Sequence, residues 1–121
     1  MQSHSGDSFP GLVEHINEAL LEKKAEHIKV LDVRNLTTLA DYFIVCQGNS
    51  DTQIKALSDH VLETVKKQTP EQVWRKEGLD SKKWVVLDYV NVVVHIFDEQ
   101  TRQFYGLENM WNDASITAIK D

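Results

Sequence analysis

Residues 83–97 read "KWVVLDYVNVVVHIF", and this stretch decides the fold. Two runs rich in β-branched and aromatic residues flank Tyr89-Val90-Asn91, a gap short enough for a hairpin. With a period of two, Val93, His95 and Phe97 share one face of the second run, and Val92, Val94 and Ile96 the other. His95 interrupts an otherwise apolar strand. Whether it is a catalyst, a ligand, part of a contact surface or a satisfied core histidine decides whether the chain is an enzyme or a binder.

Working upstream, "QVWRKEG" at 72–78 reads as a short strand, and Gly78 to Lys82 as a loop. Before it, Ile54, Leu57, Val61, Leu62 and Val65 recur at helical spacing up to Thr69-Pro70. Ser50-Asp51-Thr52-Gln53 opens that helix as a capping box, serine first and glutamine three places on. "DYFIVCQG" at 41–48 is apolar on both faces and belongs inside a sheet. "HIKVLDV" is a strand with Ile28, Val30 and Asp32 on one face. "GLVEHINEALLEKKAE" repeats Leu12, Val13, Ile16 and Leu20 after Pro10, which can open a helix. Lys23-Lys24 fall in its last turn, where cations suit the dipole. Downstream, Gln100–Asn112 reads as a turn and a short helix carrying Phe104, Tyr105, Leu107 and Trp111. The order α-β-β-α-β-β-β-α predicts a single α/β domain, a mixed β-sheet with flanking helices. Residues 1–9 read as a flexible N-terminus, 10–112 as the domain and 113–121 as a C-terminal tail.

The 121 residues are long enough for one real core, and 41% hydrophobic with 26% charged is ordinary for a globular domain. No apolar run approaches the roughly 18–20 residues of a membrane span, and residues 1–11 show no signal peptide. Cys46 is the only cysteine, which excludes an internal disulfide and suits a cytoplasmic location. Thirteen Lys and Arg against nineteen Asp and Glu give a net charge of −6. That balance opposes strong direct nucleic-acid binding and suits a basic partner.

The Gly48-Asn49-Ser50 turn, between strand and helix, is the most tempting catalytic signal. Nucleotidyltransferases hold a triphosphate on such a turn; the competing reading is a strand end and a helix cap. That chemistry also needs paired carboxylates on one strand face to hold metal. None of the nineteen acids is two positions from another, Asp88 stands alone at its strand end, and the facing Asn91 is uncharged. Nor do Cys46 and the five histidines at 4, 15, 27, 60 and 95 give zinc-ligand spacing, so neither metal nor cofactor is expected. Cys46, among Phe43, Ile44 and Val45, reads as buried and inert. His95 lacks a sequence-local triad and reads as structural. Six of the ten aromatics fall between 84 and 111. Core packing accounts for Phe97 and Phe104, and the surplus of Trp and Tyr points to a protein-binding surface.

"DYFIVCQGNSDTQ", "EGLDSKKWVVLDY" and "VVVHIFDEQTRQFYGLENMW" resemble successive blocks of the ribosomal silencing factor (Iojap-like) family, over roughly residues 11–112. The C-terminal third carries the most specific part. The resemblance implies a nucleotidyltransferase-like fold without the catalytic metal site, and no enzyme activity. It implies binding to the large ribosomal subunit through large-subunit ribosomal protein number fourteen. Occupying that face blocks small-subunit joining and represses translation when nutrients are limiting. It further implies a homodimer in the free state. Trp84, Asp88, Tyr89, His95, Arg102, Tyr105, Leu107, Glu108 and Trp111 match the family's functional pattern. Trp84, Asp88, Tyr89 and Tyr105 are the expected direct contacts, with His95 an orienting residue. The chain departs from the pattern at Val90-Asn91, where the family usually has Gly-Asp. A β-branched residue there predicts either another turn type or strain of about 1–2 kcal/mol.

Overall fold

The structure, a computed structural model, describes residues 9–120. The helix α1 (Gly11–Glu22) follows Pro10, and the strands β1 (Glu26–Asp32) and β2 (Tyr42–Gly48) pair antiparallel behind it. The long helix α2 (Asp51–Gln68) leads to β3 (Arg75–Glu77), and β4 (Trp84–Asp88) and β5 (Val92–Asp98) form the hairpin read from the sequence. Then come α3 (Glu99–Tyr105), the one-turn α4 (Leu107–Met110) and β6 (Ser115–Ile119).

The six strands form one sheet in the order β3-β4-β5-β2-β1-β6. Only the central β2–β5 pair is parallel, reached by the α2 crossover, so the sheet is mixed. Every residue of β2 is buried, as a strand apolar on both faces requires. On one face, Ile28, Val30, Ile44, Cys46, Val85, Leu87, Val94 and Ile96 pack against α1 and α2. The other face buries Leu31, Val33, Phe43, Val45, Val93 and Phe97 under Leu107, with Trp84 and Trp111 part-covering it. The period-two division of β5 holds: its two faces enter two different cores.

Three expectations change, the first being that Lys23-Lys24 fall past the end of α1 at Glu22 and not in its last turn. The expected tail 113–121 is not one over its described part, because Ser115–Ile119 extends the sheet beside β1 in a regular five-residue register. Its Ser-Ile-Thr-Ala-Ile sequence alternates polar and apolar over the first four residues and holds three β-branched ones, a strand signal short enough that pairing with β1 is needed to complete it. No turn precedes α3, since Asp98 ends β5 and caps the helix by accepting the Thr101 N–H at 2.8 Å. β1 carries a bulge: Glu26 faces Gln47 while Lys29 faces Val45, and His27 takes φ 51° to absorb the extra residue. The expected flexible stretch 1–9 lies, except for Phe9, outside the described residues.

Candidate partner-binding face

The site begins at a buried arginine. Arg102 faces inward from α3, 7% exposed. Its Nε and Nη2 each donate to a Glu108 carboxylate oxygen at 3.0 Å, and Nη1 donates to Gln47 Oε1 at 3.1 Å. Lys29 adds a contact to Glu108 at 3.5 Å. The guanidinium and Lys29 hold the Glu108 carboxyl below its usual range against the opposing effect of burial, which is the largest single influence. Between the two partners, Gly106 at φ 57° ends α3 in the left-handed conformation. The Arg102–Glu108 pair thus staples both short helices to the end of β2, and Leu107 fills the core between them.

With Arg102 turned in, its neighbours turn out. Phe104 is 80% exposed and Tyr105 50%. This corrects the expectation that Phe104 is core: a charged residue occupies the inward side of this seven-residue helix. The Tyr105 ring meets Trp84 at 4.7 Å between centroids, and Phe104 meets Tyr105 edge-on at 5.1 Å. The same three rings, with Ser81, Lys83, Gln100 and Thr101, line an open groove. Trp84 stacks on buried Phe97 at 5.0 Å and donates its indole N–H to His95 Nδ1 at 3.0 Å. Phe43 continues the row edge-on to both His95 and Trp111.

That hydrogen bond fixes the histidine. Nδ1 accepts, so the neutral ring carries its proton on Nε2, which is buried with no partner among the described residues. Burial lowers the His95 pKa to about 4. A sealed neutral imidazole has no route to a reactant and serves to orient Trp84. Cys46 is equally closed, its thiol pushed up to about 12 by burial.

The other expected residues scatter. Asp88 lies four residues from Trp84 along β4, about 13 Å at strand rise. It is 8% exposed and accepts the Val90 N–H at 2.8 Å, with Arg75 at 3.6 Å. Tyr89, 4% exposed, points to the opposite face, into the core under α1 and α2. Trp111 packs on Phe43 below the aromatic row. The structure therefore brings together Trp84, His95 and Tyr105, with Arg102, Leu107, Glu108 and Trp111 supporting them. Asp88 and Tyr89 stand apart. Phe104 is the member that sequence reasoning missed.

The Gly48–Ser50 turn is filled by its own cap. Ser50 Oγ accepts the Gln53 N–H at 3.1 Å, and Gln53 Oε1 accepts the Asn49 N–H at 2.6 Å. Gln53 Nε2 donates to the carbonyl of Lys24 at 2.8 Å, tying the turn to the end of α1. Gly48 is needed because a Cβ there would lie 2.9 Å from Ile54 Cγ1.

Comparison with known proteins agrees with this arrangement. The model of the family described as ribosomal silencing factor during starvation matches residues 6–121. The ribosomal silencing factor RsfS of Bacillus subtilis is 41% identical over 101 residues, covering 81% of this chain and 82% of its own. The chloroplastic protein Iojap of Zea mays is 37% identical over 98 residues, 81% of this chain and 42% of its own. A crystal structure of a protein from Chromobacterium violaceum superposes with a TM-score of 0.81 at 34% identity, covering 84% of this chain and 83% of that one. Family model, relatives and fold converge: the chain belongs to the ribosomal silencing factor family, whose members are non-enzymatic regulators that bind the ribosome.

Proposed function

We propose that this protein binds the large ribosomal subunit through large-subunit ribosomal protein number fourteen and silences translation by occupying the face that the small subunit needs. The observation that carries the reading is the cluster of Trp84, Tyr105 and Phe104, the Tyr105 ring touching both of the others, left open to solvent on a sheet face that is otherwise packed. Exposed Trp and Tyr on a rigid base are the usual anchors of a protein interface. Trp84 and Tyr105 are the direct contacts carried over from the sequence, and Phe104 joins them. His95 sets the indole, and Arg102, Leu107, Glu108 and Trp111 hold the surface in shape. Asp88 acts through the β4–β5 turn and Tyr89 through the core. The net charge of −6 matches a basic target.

Among the described residues no helix is long and apolar enough to cross a membrane. The cytoplasm is the proposed location. A homodimer is proposed for the free protein, and analytical ultracentrifugation would test it, with a monomer at all concentrations counting against it.

Co-sedimentation with purified large subunits tests the interface. The double variant F104A/Y105A changes only exposed side chains and should keep the folded circular dichroism spectrum. It should lose at least about tenfold in affinity, since truncating an anchor costs about 2 kcal/mol or more. Wild-type pelleting of this variant would move the interface elsewhere on the molecule.

A further inference from the structure

The two edges of the sheet are unlike. The β3 edge is three residues long and entirely charged, Arg75-Lys76-Glu77, which discourages another strand from pairing with it. The β6 edge is five residues without charge, proline or bulge, and its outer side pairs with no strand among the described residues. Such an edge offers a row of backbone donors and acceptors to an incoming strand.

Beside this edge runs a groove between β6 and α1. Phe9, Leu21 and Ile119 give it apolar walls; Glu14 and Glu18, both exposed and one turn apart on α1, line its helix side, Glu14 accepting the Phe9 N–H at 3.3 Å, and Lys120 is the one cation at its β6 end among the described residues, leaving the lining net acidic. Glu18 forms no ion pair among the described residues. Asn17, 5% exposed, lies between them with Oδ1 lacking a donor. A strand added to β6 would turn alternate side chains toward α1. Apolar walls with carboxylates along them suit a lysine or arginine, whose methylene stem packs while its charged head reaches the acids.

We propose that the β6 edge and the acidic flank of α1 together accept an extended basic segment of a partner protein as a seventh strand. The site is separate from the aromatic face, since β6 lies four strand spacings from β4, about 19 Å. Side-chain charge would select the segment, and backbone pairing would hold it.

The test is fluorescence anisotropy of the full chain with a labelled eight-residue peptide alternating lysine and valine. Saturable binding is expected, about tenfold weaker for Glu18→Lys, a change at an exposed helix position, and absent when glutamate replaces lysine in the peptide. N-methylation of alternate peptide residues should abolish binding in one register and spare it in the other, because only one edge of an added strand faces β6. Equal binding by both methylated registers, or indifference to Glu18→Lys, would overturn the proposal. So would amides 115–119 gaining hydrogen-exchange protection with protein concentration in the absence of peptide, which would mean that a second copy covers the edge. Loss of large-subunit binding by F104A/Y105A leaves this test untouched, so the two surfaces stand or fall separately.

Discussion

His95 shows how one side chain can fix the shape of a surface while taking no part in chemistry. Its Nδ1 accepts the Trp84 indole N–H, and burial holds the ring neutral with a pKa of about 4. An unfolded histidine titrates near 6.5, so between these values the unfolded chain binds more protons than the folded one. Stability from this residue is therefore full above about pH 6.5 and drains away as pH falls toward 4. The loss is on the order of 3 kcal/mol across that window. Urea unfolding of the wild type should show this slope, and His95→Phe should flatten it; an unchanged slope would remove His95 as its source. Val90 is the opposite case, a residue that strains the structure. It takes φ 75° between a Tyr89 carbonyl and an Asn91 N–H that bond at 2.9 Å, a γ-turn geometry. The strain foreseen from the missing glycine is present, and the Asp88 carboxylate helps to hold the turn. Val90→Gly should raise stability by about 1 kcal/mol, the relief of strain exceeding glycine's greater chain entropy. The denaturation midpoint would report it, and a lower midpoint would show that the turn tolerates valine freely.

Among the elements, α3 and α4 depend most on a single interaction. Neither is long enough to be stable alone, and the Arg102–Glu108–Gln47 cluster pins both. Arg102→Ala takes two hydrogen bonds from the part-exposed Glu108, which keeps Lys29, and the donor from buried Gln47 Oε1, and should cost about 2–3 kcal/mol. The double variant Arg102→Met with Glu108→Leu should cost less than Arg102→Ala, because the inward position stays filled and the carboxylate that lost its donors is removed with it. Thermal melts of the two variants check the order, and the reverse order would mean that the ion pair itself carries the helices. This cluster also explains what the sequence concealed. The β4–β5 hairpin, β2 and α2 were legible because their apolar periods run over many residues. In α3 the inward position holds an arginine, so the hydrophobic pattern points the wrong way and Phe104 reads as core. Tyr89 read as a surface anchor because the register after Asp88 could not be followed through a turn of unknown type. β6 carries the strand formers Ile116, Thr117 and Ile119, but five residues are a short signal, and pairing with β1 completes the strand. Asp88 and Trp84 belong to one sequence block, yet strand geometry sets them at opposite ends of β4.

For the whole molecule, the proposed mechanism is occupancy, and occupancy has consequences that catalysis lacks. A catalyst acts at ratios far below one per ribosome; a blocker acts one for one and only while bound. The accessible part of the aromatic face comes from α3 and the start of β4, a rigid base that needs no ordering before contact, so little affinity is lost to preorganisation. The joined ribosome would already cover the target, which makes the order of addition decisive. Mixed with large subunits before small ones, the protein should block joining in proportion to its occupancy, with half-inhibition near half-saturation. Added after joining, it should do nothing faster than subunits separate unaided. Light scattering under both orders measures this directly, with F104A/Y105A as the non-binding control. Equal inhibition in both orders, or full inhibition at a small fraction of one protein per large subunit, would be incompatible with a molecule that works by filling a surface.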